Sequence, residues 1–185
     1  YGYRKLTQAV FLLMRVRDAA CARAWLAGCP VSSAREQSPP PRRALQVAMS
    51  CPGLRALGVQ EDIVQGFSRE FLAGMSSDES RSRRLGDLGP DAPDQWQWGG
   101  NPEAVPHVLL MLYAWPGELA AWQEQVLDQC ASSGFELMAA LGTSDMDGVE
   151  PFGFVDGISQ PSLDWQRKRP VRDQEVLDYS NLSCL

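Results

Sequence analysis

The sequence predicts an α+β fold: a split βαβ antiparallel sheet with helices on one face. Two nearly unbroken apolar runs, Ala9 to Met14 and Val108 to Trp115, have the length of strands. Runs that short and that apolar suit central strands covered on both sides. Each is followed by a helical pattern and then by an alternating strand. The order is strand, helix, strand, excursion, strand, helix, strand. Two such β-α-β halves make the ferredoxin-like arrangement.

The first strand falls within Lys5 to Val16. Asp18 then stands where a cap is needed, and a helix follows from about Ala19 to Ala27, with Cys21 and Trp25 at i, i+4. Gly28 and Pro30 stop it. Val31 to Pro41 is polar and proline-rich and reads as a surface loop. Leu45, Val47 and Met49 alternate as a half-buried strand. Gly53 to Gly74 reads as short helical pieces with apolar contacts at Ile63, Val64, Phe67, Phe71 and Leu72. Ser76 to Gly100 has little periodicity and reads as an extended loop holding Trp96 and Trp98. A loop that long has a job or covers something. Val108 to Tyr113 is the third strand. Pro116 is expected at the first helical position. Leu119, Trp122, Val126, Leu127 and Cys130 mark one stripe of the clearest helix, and Gly134 ends it. Phe135, Leu137, Ala139 and Leu141 alternate as the fourth strand.

Composition excludes several classes. The chain has 185 residues, 44% of them hydrophobic, which fits one domain with a sizeable core. A net charge of −6 and a pI near 4.8 argue against nucleic acid or an anionic membrane surface as partner. No apolar run reaches the roughly 18 residues of a membrane span. No G-x-G-x-x-G follows a strand, so a Rossmann nucleotide site has no support. Cys21, Cys29, Cys51, Cys130 and Cys184 match no metal spacing and read as free thiols of a reducing compartment. No charged-then-apolar leader opens the chain at Tyr1, which points to the cytoplasm. Tyr1 in place of Met, and an ending that reads like the start of an element, suggest that both ends are cut.

One stretch concentrates chemistry: Glu150-Pro151-Phe152-Gly153-Phe154-Val155-Asp156-Gly157-Ile158-Ser159-Gln160-Pro161. It sets one carboxylate between two glycines in an apolar loop. Glycines let a backbone turn sharply and approach a ligand closely. Phe152, Phe154, Val155 and Ile158 are expected to form a dry wall around Asp156. Dry surroundings raise a carboxylate's pKa, which is how an acid/base catalyst is tuned. Asp and Gly also favour plain structural turns.

The spacing Gly153-Phe154-Val155-Asp156-Gly157 resembles the GxxDG signature of dye-decolourising haem peroxidases. Phe71-Leu72-Ala73-Gly74-Met75 followed by Arg81-Ser82-Arg83-Arg84-Leu85-Gly86-Asp87 resembles a segment of the same family. Gly2-Tyr3, Pro106-His107-Val108 and Ile158-Ser159-Gln160-Pro161 fit as well, and Tyr179-Ser180-Asn181-Leu182 fits more loosely. The resemblance covers nearly the whole chain but only the N-terminal half of the family. It implies two packed ferredoxin-like domains, haem b held mainly by the second, and oxidation of dyes or phenolic substrates by hydrogen peroxide. It implies Asp156 as the distal acid/base, with Phe154, Gly157, Ile158, Ser159 and Gln160 facing the cofactor. The resemblance further implies a division at 148: a ferredoxin-like domain over 1–148, and over 149–185 the distal loop and a connection toward a C-terminal haem domain. The axial His and distal Arg of the family come from that other half. This chain alone is therefore expected to be half of a peroxidase.

His107, the sole histidine, stands at a strand start and reads as a capping or sheet-edge residue rather than a ligand. Arg81, Arg83 and Arg84 read as a solvated group balanced by Asp78, Glu79 and Asp87, against a haem-propionate or substrate patch. Trp96, Trp98 and Trp165 read as packing under a long loop, against a radical relay. The competing reading of the whole is a non-catalytic half-protein that self-associates or pairs with a separate haem-bearing chain.

Overall fold

Four strands form one antiparallel sheet: β1 (Gln8–Val16), β2 (Arg43–Met49), β3 (Val108–Ala114) and β4 (Phe135–Gly142), in the order β2-β3-β1-β4. With α1 (Ala19–Gly28) after β1 and a long helix at Leu119–Ser132 after β3, this is the split βαβ topology expected from the sequence. The computed structural model describes residues 6–33, 39–144, 149, 152–155, 162–164 and 176–177. The chain divides into two compact units, Tyr1–Ser144 and Asp145–Leu185. In the second unit Ser162–Leu163 (β5) pairs in parallel with Val176–Leu177 (β6).

Register explains the core. Leu12 faces Leu110 and Leu110 faces Val47; Val10 faces Leu112 and Leu112 faces Leu45. These residues share one face of the sheet, since directly paired side chains point the same way. They cluster with Ala22, Trp25, Val126 and Cys130 of the two long helices. Leu12, Leu110 and Leu112 are fully buried. Trp25 meets Phe135 edge-on, with ring centroids 5.6 Å apart. Asp18 caps α1 by accepting from the Ala20 and Cys21 N–H groups at 2.9 and 3.0 Å, as its residue type requires. Those bonds hold its carboxyl below the ordinary range.

The excursion between β2 and β3 is more helical than its composition suggests. It contains α2 (Cys51–Ala56), α3 (Glu61–Val64), α4 (Arg69–Ala73), α5 (Glu79–Leu85) and three 3-10 turns at Gly89–Asp91, Pro93–Gln95 and Pro102–Ala104. The reading of Ser76 to Gly100 as one extended loop is thus corrected by α5. Asp78 caps it by accepting from the Ser80 and Arg81 N–H groups, and Gly86 ends it in the left-handed region at φ 84°. Pro116 does not open α6 (Leu119–Ser132) either. Pro116-Gly117 forms a turn with Gly117 at φ 82°, closed by Glu118 N–H donating to the Trp115 carbonyl at 3.1 Å. Proline followed by a positive-φ glycine is the chemistry of a type II turn. Gly134 lies just past α6 at φ 76°, as expected of a helix end.

Gly53 shows how closely the excursion is docked. A Cβ there would sit 1.9 Å from the His107 carbonyl oxygen. Ser50 adds a second tie, donating to the Pro106 carbonyl at 2.6 Å while accepting from Gly53 N–H. The long helices share one face of the sheet; α4, by contrast, borders the opposite face beside Leu13, Ala48 and Leu109. Among the described residues, no helix is long and apolar enough to cross a membrane.

Candidate functional site

Of the residues that the sequence marks as a site, Phe154 is described, and Asp156, Gly157, Ile158, Ser159 and Gln160 lie outside the described residues. Gly153, just before them, turns the chain at φ 84°. Phe152, Phe154 and Val155 are 88%, 73% and 56% exposed. Among the described residues, nothing covers these three side chains; the rest of the expected dry wall, Ile158 and Asp156 itself, lies outside the described residues. Apolar character alone buries nothing; an opposing apolar surface is required.

His107 has the sheet-edge role expected of it. Its Nδ1 accepts the Val16 backbone N–H at 3.1 Å, and the His107 backbone N–H donates to the Met14 carbonyl at 2.8 Å. Burial, then the charges of Arg15 and Arg17, hold its pKa below 6.5. One ring nitrogen is thus committed to the sheet. Among the described residues, no group of three or more His, Cys, Asp or Glu side chains is placed to hold a metal ion. Cys51 and Cys130 are buried free thiols, and burial pushes the Cys130 thiol up to about 12. Cys29 is half-buried and Cys21 exposed.

The arginine group divides. Arg81 donates to the Gly74 carbonyl at 2.7 Å and so ties α5 back to the end of α4. Arg83 pairs with Glu79 at 3.6 Å on the exposed side of the same helix. Asp78 is held below the ordinary carboxyl range by the backbone N–H groups it caps, with Arg81 and Arg84 adding to the effect.

Trp96 and Trp98 border an apolar cavity of about 530 Å³ between the excursion and the sheet face carrying Leu13 and Leu109. The indole N–H of Trp96 donates to the Asp91 carbonyl at 2.9 Å. Two features escaped the sequence reading. Arg42 stacks on Trp115, 4.3 Å from the ring centroid, while bonding to Glu118. Asp164, after β5, is only 8% exposed. No spacing in the sequence marks either one. An adjacent Arg-Arg pair ahead of a strand is the only hint of the first.

Comparison with known proteins places this architecture. No family model matches the chain. A dye-decolorizing peroxidase of Mycetinis scorodonius is 32% identical over 128 residues, 67% of this chain and 23% of that protein. Another, of Exidia glandulosa, is 29% identical over 166 residues, 84% of this chain and 31% of that protein. The solved dye-decolorizing peroxidase of Auricularia auricula-judae superposes with a TM-score of 0.67 at 24% identity, over 93% of this chain and 38% of that one. The chain thus spans less than a third of the length of these two curated relatives.

Proposed function

We propose that this chain, which belongs by sequence and fold to the dye-decolorizing peroxidase family, supplies the distal acid/base of a haem peroxidase whose cofactor is held by the rest of the family's length. The observation that carries the proposal is the Gly153-to-Gly157 segment with Asp156 inside it, in a chain of this family. Gly153 turns the backbone at φ 84° three residues before Asp156. The exposed side chains of Phe152, Phe154 and Val155 supply apolar surface for a second portion to cover.

Haem b, when bound by that portion, would supply the oxidising chemistry. Asp156 would take a proton from one oxygen of hydrogen peroxide and return it to the other, so that water leaves. For that task its carboxyl must be dry enough to hold the proton, and covering the Phe152 to Val155 flank would dry it. Phe154, Gly157, Ile158, Ser159 and Gln160 would line the approach, the glycine allowing close backbone contact. An arginine from the other portion would stabilise developing charge in the same dry site. The reductants are proposed to be small aromatic molecules, phenols or dyes. The division of labour, distal loop here and haem domain elsewhere, follows the same reading.

Haem titration tests this. The 185-residue chain is expected to give no stoichiometric Soret band by itself. Together with a haem-bearing portion it is expected to give both the band and peroxide-dependent turnover. A stoichiometric band and turnover from the chain alone would overturn the division of labour.

A further inference from the structure

We infer that the first unit carries a second binding site, for a neutral or cationic aromatic molecule of one or two rings, divided between two cavities that share Met75, Trp96 and Trp98 as walls. The inference is independent of the chemistry assigned to Asp156. One cavity, of about 530 Å³, is apolar, bounded by Leu13 and Leu109 of the sheet and by Phe71 and Leu72 of α4. The other, of about 630 Å³, is an open cleft bordered by Asp87, Asp91, Gln95 and Gln97. Both have volumes typical of small-molecule sites, which pair apolar walls with a few placed polar groups.

Charge selects the occupant. Glu70 borders the apolar cavity, and Asp87 and Asp91 border the cleft; among the described residues no Lys, Arg or His lines either one, and the Arg81 guanidinium behind Gly74 is engaged with that residue's carbonyl. An anion would meet like charge at these lining carboxylates, whereas a cation or a hydrogen-bond donor finds acceptors. Two indoles and a thioether at the shared wall favour a planar ring, through stacking, cation–π attraction and sulfur–aromatic contact. Trp98 is 41% and Met75 60% exposed, so a ligand ring would bury apolar area that the fold leaves open.

The wall is held in place before any ligand arrives. Gly100 packs so closely that a Cβ would lie 1.6 Å from the Pro93 carbonyl oxygen. Gly99 N–H donates to the Ala104 carbonyl at 2.8 Å, and the Trp96 indole is tied to Asp91. Little ordering cost therefore remains for binding.

The test is a titration of the ¹⁵N-labelled chain with N-methylquinolinium, and with naphthalene-2-sulfonate as an anion of similar size, followed at the tryptophan indole N–H resonances. Saturable shifts at Trp96 and Trp98 are expected, with the anion bound about tenfold more weakly or worse. Trp98→Ala is expected to weaken the cation about tenfold. Asp91→Asn, which keeps every apolar wall, should weaken the cation and narrow its advantage over the anion; Asp128→Asn on α6 should do neither. Thermal melts establish that each variant is folded. Shifts that never saturate, equal affinity for the anion, or a folded Trp98→Ala chain with unchanged affinity would each overturn the inference.

Discussion

Two apolar stretches of this chain meet opposite fates. In β1 and β3, Leu12, Leu110 and Leu112 are fully buried; in the Phe152 to Val155 segment, Phe152 is 88% exposed. The residue types are equally apolar. What differs is the partner. Each strand residue has a cross-strand neighbour in register and a helix above it, both encoded within the first unit. Among the described residues, Phe152, Phe154 and Val155 have neither. The sheet thus carries its own covering within the first unit, while the segment before Asp156 leaves its apolar side chains exposed.

That contrast is open to direct attack. Leu110→Ala should cost the largest amount, about 2–5 kcal/mol, because it removes a fully buried side chain at the centre of the sheet. Phe152→Ala in the same chain should cost about 0.5 kcal/mol or less. Urea unfolding measures both, and equal costs would erase the distinction. Gly53→Ala comes next, at about 1–3 kcal/mol, since the new methyl would overlap the His107 carbonyl and force backbone apart. Ser50→Ala should cost about 1 kcal/mol, read from the same urea midpoint, by removing the cap of α2 and its tie to Pro106.

The smallest effect is a pH dependence. The folded pKa of His107 lies below its ordinary value of 6.5. As pH falls, the unfolded imidazole takes up its proton first. The contribution is thus fully present above about pH 6.5 and is lost as pH falls through the folded pKa. Protonation would also break the bond from Val16 N–H and place a charge beside Arg15 and Arg17. Wild-type stability should drop more between about pH 7.5 and pH 5 than that of His107→Gln. Parallel pH profiles for the two proteins would remove His107 from the account.

The sheet was legible because its signals are local and redundant. Val10 to Met14 and Val108 to Tyr113 are apolar at strand length, and Asp18 and Gly134 mark helix ends by residue type alone. The same kind of signal was present and passed over at α5, where Asp78 and Gly86 bracket Glu79–Leu85; arginines on an exposed helix obscured its period. Pro116 was misplaced because proline suits both a helix start and a turn, and Gly117 decides for the turn. The cavity wall at Trp96 and Trp98 was not legible. It depends on α4, the 3-10 turns and β3 meeting across long sequence separations, which no pattern in one segment encodes. For the Asp156 loop, spacing marked the carboxylate, but burial there depends on an opposing surface, and a sequence motif does not contain its own partner.

The central claim is that Asp156 moves the proton in peroxide cleavage. The measurement that tests it most directly is peroxide turnover by the chain assembled with its haem-bearing portion, comparing wild type with Asp156→Asn at matched Soret absorbance. Loss of about 10²–10⁴-fold in kcat/KM for hydrogen peroxide, with the haem spectrum unchanged, is the predicted result. Turnover undiminished by Asp156→Asn at full haem occupancy would contradict it and leave Asp156 as a turn residue.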